Sequence, residues 1–314
     1  MSDKVFRTHD ELLALLRDRG IDLSTAEKRS FAKKALQHEG YYNLINGYNK
    51  LFLSSKVPED TYKQGTTIEE IMALYSFDRK LRNIFLKHIL VVETNVKSLL
   101  AYNFPQKYGH DNYMLYKNFD TSRKGAGKNI TKVIASFQRQ IAEHAADPSI
   151  AHYLGKYGYV PLWVVNNIVT LGQTSQFYRI MKQQDRQSVA KVFSILDNDL
   201  ESILFYLAQI RNCCAHGNRL YCFRSSFPLS DMGAHAKLSI PLGQNGELAN
   251  GKRDLFATMI ALYYVLPNAQ FRRLIKELQN ALNNLRTKLN VISEEDVLKE
   301  MGFPLDWKNQ LLSL

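Results

Sequence analysis

Cysteine is scarce: the chain has three in 314 residues. Two are adjacent, Cys213 and Cys214, and the third is Cys222, which gives neither a disulfide framework nor the paired arms of a zinc site. The eight histidines are scattered, with no pair placed among Cys, Asp or Glu at metal-ligand spacing, so neither metal nor cofactor is expected. Long apolar runs are missing as well. No window reaches the roughly 20 uninterrupted residues of a membrane span, and Met1-Ser2-Asp3-Lys4-Val5-Phe6-Arg7 lacks the apolar centre of a secretory signal. A protein of the reducing cytoplasm, free of membrane, is the expectation. There is no internal repeat and no low-complexity linker. Acidic charge is in deficit, 30 Asp and Glu against 41 Lys and Arg, for a net charge of +11 and a pI near 9.4. That excess favours an anionic partner, nucleic acid first and a membrane surface second, against the alternative of a merely soluble basic protein. Otherwise 23% charged and 45% hydrophobic residues describe an ordinary globule, long enough for one large core or two closely packed ones.

What is present centres on Arg211-Asn212-Cys213-Cys214-Ala215-His216-Gly217-Asn218-Arg219-Leu220. It follows Leu200, Ile203, Leu204, Leu207, Ile210 and Cys214, spaced as the buried stripe of a helix. Gly217 stands where a chain leaving a helix needs positive φ. At roughly 100° per residue, Asn212 and His216 share a face turned away from the stripe, and Arg211 falls near the edge of the stripe. A guanidinium there must be paired or reach a ligand. Read residue by residue, two accounts stand level. In one, Arg211 extends its charge to water and His216 caps the helix, where the macrodipole favours a cation. In the other, the three side chains form a site.

The rest of the chain reads as helices. Thr8 with Glu11 and Ser24 with Glu27 give capping patterns for two short helices, a hairpin ending near Gly40. Gly40-Tyr41-Tyr42-Asn43-Leu44-Ile45-Asn46-Gly47-Tyr48 follows, a packed corner whose hydroxyls find local partners, with base stacking the lesser alternative. Thr67 and Glu70 open a long helix predicted over Ile68 to Phe104 and stopped by Pro105. Its stripe is Leu81, Phe85, Ile89, Val92, Val96 and Leu100, and Glu93 at the stripe's edge needs a partner, for which Arg211 is the candidate. The basic residues of Leu74-Tyr75-Ser76-Phe77-Asp78-Arg79-Lys80-Leu81-Arg82 are expected on a solvated face. Residues 105–128 read as loop. Arg123-Lys124-Gly125-Ala126-Gly127-Lys128 fails the phosphate-loop pattern, because Ser122 and Asn129 occupy positions that need Gly and Ser or Thr. It is taken as a flexible basic loop, and Arg123, Lys124 and Lys128, with Arg219, are candidate RNA-backbone contacts. Further helices are predicted at about 129–145, from Pro161 to Leu171-Gly172, at 174–183 and 185–195, then in the motif helix, at 252–266 and 268–290, and from Ser293. Between them, 221–251 is rich in Gly, Pro and Ser and reads as a small hairpin or ordered loop beside the motif; loops of this length usually have a functional reason.

Taken together, Arg-x4-His with Asn after the Arg resembles the ribonuclease motif of HEPN domains. The Tyr-Tyr block, the Phe77-Asp78-Arg79 block, Pro161-x-Trp163 with Leu171-Gly172-x-x-Ser175, and Arg211-Asn212-x-x-Ala215-His216 occur in the order found in the Abi-like family of bacterial abortive-infection proteins, over roughly residues 5–225. The resemblance implies an all-α, HEPN-like helical bundle with an N-terminal hairpin extension (1–66), a core with an insertion at about 221–251 (67–290) and a C-terminal helix and tail (291–314). It implies a metal-independent, toxin-like endoribonuclease of antiviral defence, working as a homodimer in which two motif helices build one site. In that site the RNA 2′-hydroxyl attacks its own phosphate, with His216 as base or acid, Arg211 on the phosphate, Asn212 orienting one of them and Glu93 holding Arg211 from behind. Phe205, on the face of Asn212 and His216, is the apolar anchor suited to a subunit contact. Some relatives are tied to a small structured non-coding RNA, a candidate regulator. Two other readings stay open: a non-catalytic RNA-binding HEPN protein, and a helical module that meets a protein partner.

Overall fold

Apolar residues repeating every three or four positions from Ile68 onward dictate a long helix, and the fold is assembled around it. The computed structural model describes residues 5–57, 59–238, 240–243 and 246–314. Helix α3, Ile68–Tyr108, runs 41 residues, about 60 Å at the helical rise. It does not stop at Pro105. Proline there removes one hydrogen-bond donor, yet the last turn is held by tertiary contacts: Phe104 packs against Phe119 and Phe177, and Tyr108 donates to Asp185 at 2.7 Å. Gly109 then ends the helix at φ 88°.

Before it, α1 (His9–Asp18) carries the Thr8–Glu11 capping box and α2 (Ala26–Glu39) packs beside it. The α2 cap is Thr25, one residue later than the pattern suggests, because Ser24 is taken by the carboxylate of Asp22. Tyr42–Asn46 form a short π-helical turn, and β1 (Leu53–Ser55) pairs antiparallel with β2 (Thr61–Tyr62), the only sheet among the described residues. After α3, two single 3-10 turns interrupt the expected loop. Then come α4 (Ala126–Glu143), α5 (Pro148–Tyr157), α6 (Leu162–Val165), α7 (Leu171–Ile180) and α8 (Gln183–Ala190). Leu171-Gly172 open α7 instead of closing the previous helix: Thr170 and Gln173 make a capping box there. Helix α8 stops five residues short of the predicted 195, with Ser194 in the left-handed region at φ 57°.

The motif helix α9 (Asp197–Ala215) packs against α3 and α7. In 221–251, expected as a small hairpin or an ordered loop, the chain forms α10 (Gly233–Lys237) and an antiparallel bridge between Leu242 and Leu248; Ser239, in the middle of the alternating run around 237–240, lies outside the described residues. The chain closes with α11 (Leu255–Val265), α12 (Asn268–Arg286), α13 (Glu294–Met301) and a final helix α14 (Trp307–Leu312), where an irregular tail is expected from sequence. Helix α12 packs along α3 and ends before 290, because the backbone N–H groups of Asn290, Val291 and Ile292 all turn to one oxygen of Glu70, at 2.9, 2.8 and 3.2 Å. The chain is thus all-α but for the small ribbon. No helix among the described residues is long and apolar enough to cross a membrane.

Candidate active site at the end of the motif helix

The apolar stripe of α9 is fully covered, with Leu200, Ile203, Leu204, Leu207 and Ile210 at 0% exposure. That fixes the helix and therefore the direction of its last turn. The exit is a Schellman ending: Asn218 N–H bonds to Cys213 O at 3.0 Å and Gly217 N–H to Cys214 O at 3.2 Å. Gly217 sits at φ 69°, as its position in the sequence requires. Cys213 and Cys214 are buried inside this turn, and burial pushes their thiols up to about 11 and about 12. They are neutral packing groups, not nucleophiles.

Asn212 and His216 are exposed, and their side chains make no hydrogen bond among the described residues. Arg211 points elsewhere, about 140° around the helix from His216. Its Nε lies 3.8 Å from Glu93 Oε2, an ion pair too long for a hydrogen bond. Both of those atoms are buried and have no hydrogen-bond partner. Glu93 also has a partner that the sequence reading missed: Lys97, one turn along α3, reaches Oε1 at 2.7 Å and the carbonyl of Val169 at 2.6 Å. The i, i+4 Glu–Lys spacing was the available signal. Arg211 therefore shares its carboxylate, and its side chain remains 27% exposed.

The other unforeseen centre is Asp78, at 0% exposure. Its carboxylate accepts from Tyr48 Oη (2.7 Å), Arg82 Nη1 (2.5 Å) and the backbone N–H groups of Leu220 (3.0 Å) and Tyr221 (2.7 Å). Arg82 Nη1 also donates to Asn218 O, so Arg82 is a buried structural cation and not part of a solvated face. Arg79 and Lys80, by contrast, are exposed. Burial, reinforced by the charge of Asp78, pushes the Tyr48 hydroxyl far above its ordinary value, which keeps it a donor. Three sequence blocks far apart in the chain thus meet: the Tyr-Tyr turn through Tyr48, the Phe77-Asp78 block, and the exit of the motif helix. Of the three tyrosines, Tyr48 is buried and Tyr41 receives Arg19, while Tyr42 is 77% exposed.

Between the Tyr-Tyr turn and the end of α9 lies an open cleft of about 400 Å3. His216, Arg82 and Arg219 line it from one side, and Tyr42, Asn43 and Asn46 from the other. Arg219 Nη1 donates to Gly47 O at 2.9 Å, tying the two walls together.

The remaining candidates lie apart. Arg123 donates to Glu201 at 2.9 Å and to Arg179 O at 2.9 Å. Glu201 is ten residues upstream of Arg211 on α9, about 15 Å along the axis. The Arg123 segment is thus anchored by its arginine, not flexible there, whereas Lys124 and Lys128 are exposed. Phe205 is not a free anchor either. Residues 225–230 lie along α9 as a strap: Ser225 Oγ bonds to Gln209, Phe227 stacks edge-on over Phe205 at 5.5 Å, and Ser230 N–H bonds to Ser202. The strap stops one turn short of Asn212, and the apolar group it presents outward is Phe227, 60% exposed.

The fold and the helix end define a class: an all-α protein whose core helix delivers an unpaired amide and imidazole to solvent beside a cation-lined cleft. A family model for Abi-like proteins matches residues 34–222, more than half of the chain and all four sequence blocks. The chain belongs to the Abi-like protein family. No curated protein and no solved structure matches it.

Proposed function

We propose that this protein is a metal-independent endoribonuclease of a bacterial abortive-infection system, toxic to its host cell once released. The observation that supports this reading most is the pairing of Asn212 and His216 on a rigid helix end, solvent-open and without side-chain partners among the described residues, beside Arg82 and Arg219. Both side chains are solvated, and the water on them can be displaced by a ligand that makes the same hydrogen bonds.

The chemistry follows from the residue types. The 2′-oxygen of one ribose attacks the adjacent phosphorus, its proton passes to an imidazole, and the 5′-oxygen of the next nucleotide leaves with a proton. The products are a 2′,3′-cyclic phosphate and a 5′-hydroxyl. Imidazole titrates near neutrality and serves either proton transfer, and a guanidinium stabilises the extra charge on the phosphoryl oxygens. One imidazole cannot be base and acid at the same instant, so the site is read as a homodimer in which the partner subunit's His216 supplies the second. That arrangement also gives Arg211 a role despite its angular distance from His216 on one helix, since it would serve the phosphate held by the opposite copy. Glu93, with Lys97 behind it, positions Arg211. The charge of +11 suits RNA as substrate and a small structured RNA as regulator.

The test is direct. The purified protein, His216→Ala and Arg211→Ala are stripped of nucleic acid, incubated with total RNA in EDTA, and the new ends are mapped. Cleavage in EDTA that leaves 2′,3′-cyclic phosphate and disappears in both variants is expected. Bound RNA with no cleavage after stripping would instead make the protein an RNA binder, and the absence of both would leave a protein-interaction module.

A further inference from the structure

The cleft beside His216 has one wall that the cleavage chemistry does not use. Tyr42, Asn43 and Asn46 stand on the π-helical turn, all exposed, while Leu44 and Ile45 between them are buried at 0% and 1%. A π-helical turn is uncommon and recurs at functional positions; here it spaces an aromatic ring and two amides along one wall. None of the three side chains is hydrogen-bonded among the described residues. Their backbone is nevertheless rigid. Arg219 holds the carbonyls of Asn46 and Gly47, and Tyr48, next in the chain, is locked on Asp78. The opposite wall carries the positive charge of Arg219, with Arg82 behind it paired to Asp78, and His216 stands at the same opening.

Each class of group narrows the occupant. The Arg219 guanidinium attracts a phosphate, but a phosphate alone has no use for an exposed ring and two free amides. An acidic peptide would use the cation and leave the ring idle. A nucleotide uses all of them: phosphate on Arg219, base face on the ring, base edge on amides that both donate and accept. The size, about 400 Å3, falls within the range of small-ligand sites.

We propose that this cleft holds one nucleobase of the RNA strand next to the scissile phosphate, stacked on Tyr42 and read at its edge by Asn43 and Asn46. The site therefore sets which base flanks the cut. The proposal rests on the ribonuclease reading for the position of the cut, and not for the binding itself.

The test measures binding of the four fluorescein-labelled homotetraribonucleotides to the full chain carrying His216→Ala, which leaves the strand intact. Tyr42→Ala, Tyr42→Phe and the pair Asn43→Ala with Asn46→Ala are each added to it. All three positions are exposed, so the fold should tolerate these changes, and circular dichroism checks that it does. Tyr42→Ala should weaken the best-bound tetranucleotide by about five-fold to a hundred-fold, the range of one base–aromatic stack, while Tyr42→Phe stays within about two-fold. The double asparagine variant should level the four affinities. Unchanged affinity and preference in Tyr42→Ala and in the asparagine pair would overturn the proposal, even if the parent chain cleaves RNA. Nucleoside monophosphates competing as well as the tetranucleotides would overturn the assignment to an RNA strand. If the losses occur and the parent never cleaves RNA, the base site stands and the ribonuclease reading falls.

Discussion

The two ends of helix α9 both carry charged side chains and treat them in opposite ways. At the start, Arg186 is 3% exposed and bonds to Asp197 Oδ2 at 2.7 and 3.1 Å and to Met181 O. Arg123 and Arg179 both reach Glu201, and Tyr178 donates to the carbonyls of Arg186 and Asp197. Each charged side chain there, Arg186, Asp197, Arg123, Arg179 and Glu201, has a partner within the chain. At the other end the side chains of Asn212 and His216 have none among the described residues, and Arg211 faces a carboxylate just out of hydrogen-bond range. A saturated cluster fixes a helix; an unsaturated one on the same rigid rod is a candidate for work on something else.

That contrast can be broken from either side. The largest effect is expected at the open end: His216→Ala should lower RNA cleavage by roughly 10²- to 10⁴-fold, with a thermal midpoint close to the parent's because the side chain is exposed and unbonded. A large drop in midpoint would make His216 a structural cap. At the saturated end, Asp197→Ala strips a buried guanidinium of its carboxylate and should cost about 3–5 kcal/mol in urea unfolding, with cleavage per folded molecule unchanged. Asp78→Ala tests where the two meet. It frees Arg82 and the exit of the motif helix together, so stability should fall by about 3 kcal/mol and cleavage should fall with it, whereas Asp197→Ala affects stability alone.

Glu277 offers a pH version of the saturated case. Partial burial raises its pKa, but hydrogen bonds from Lys87, Arg273 and His88 outweigh that and bring it to about 2, from an ordinary 4.5. The folded chain therefore holds its proton less readily than the unfolded one. The stabilisation should be complete above the unfolded value and vanish as the pH falls towards the folded one. The urea midpoint of the parent should exceed that of Glu277→Gln at pH 6 by the equivalent of about 2 kcal/mol, and the gap should narrow by pH 3; a constant gap would refute the charge-based account. The smallest effect is expected at Arg123→Ala, below about 1 kcal/mol for a partly exposed pair. RNA affinity should drop less than in Lys124→Ala with Lys128→Ala, as salt-dependent binding would report.

Local signals in the sequence were legible because they act over three or four residues. The caps at Thr8, Thr67 and Ser293 and the positive φ of Gly217 are set by near neighbours, and the stripes that make the fold all-α follow from periodicity. The centre on Asp78 was not read, although the clue was there. Asp78 lies on the apolar stripe itself, four residues after Leu74 and three before Leu81, with Arg82 one turn on, which is the same anomaly that draws attention to Glu93. Its other partners, at 220 and 221, lie 142 and 143 residues away, and no local rule names them. The extra turn beyond Pro105 and the strap over Phe205 failed to show for the same reason: in each case long-range packing overrides a local preference. The cleft emerges only when the Tyr-Tyr turn and the motif exit are folded together.

Glu70 carries a consequence for the making of the protein. One oxygen of its carboxylate, near the start of the central helix, accepts from three backbone N–H groups 220 to 222 residues later. At typical synthesis rates, about 10–40 s separate the emergence of the two. Throughout that interval the nascent chain has the Glu70 carboxylate without these partners, although Thr67 already caps the first turn of α3. The motif at Arg211–His216 leaves the ribosome before residues 290–292 do, so the helix on which it packs is clamped only afterwards. A chain released early, by a broken message or a premature stop, would display the motif sequence on an unfinished scaffold. Truncation before residue 290 should therefore leave Glu70 without its three donors, while the contacts of Asp78 to the motif exit stay available.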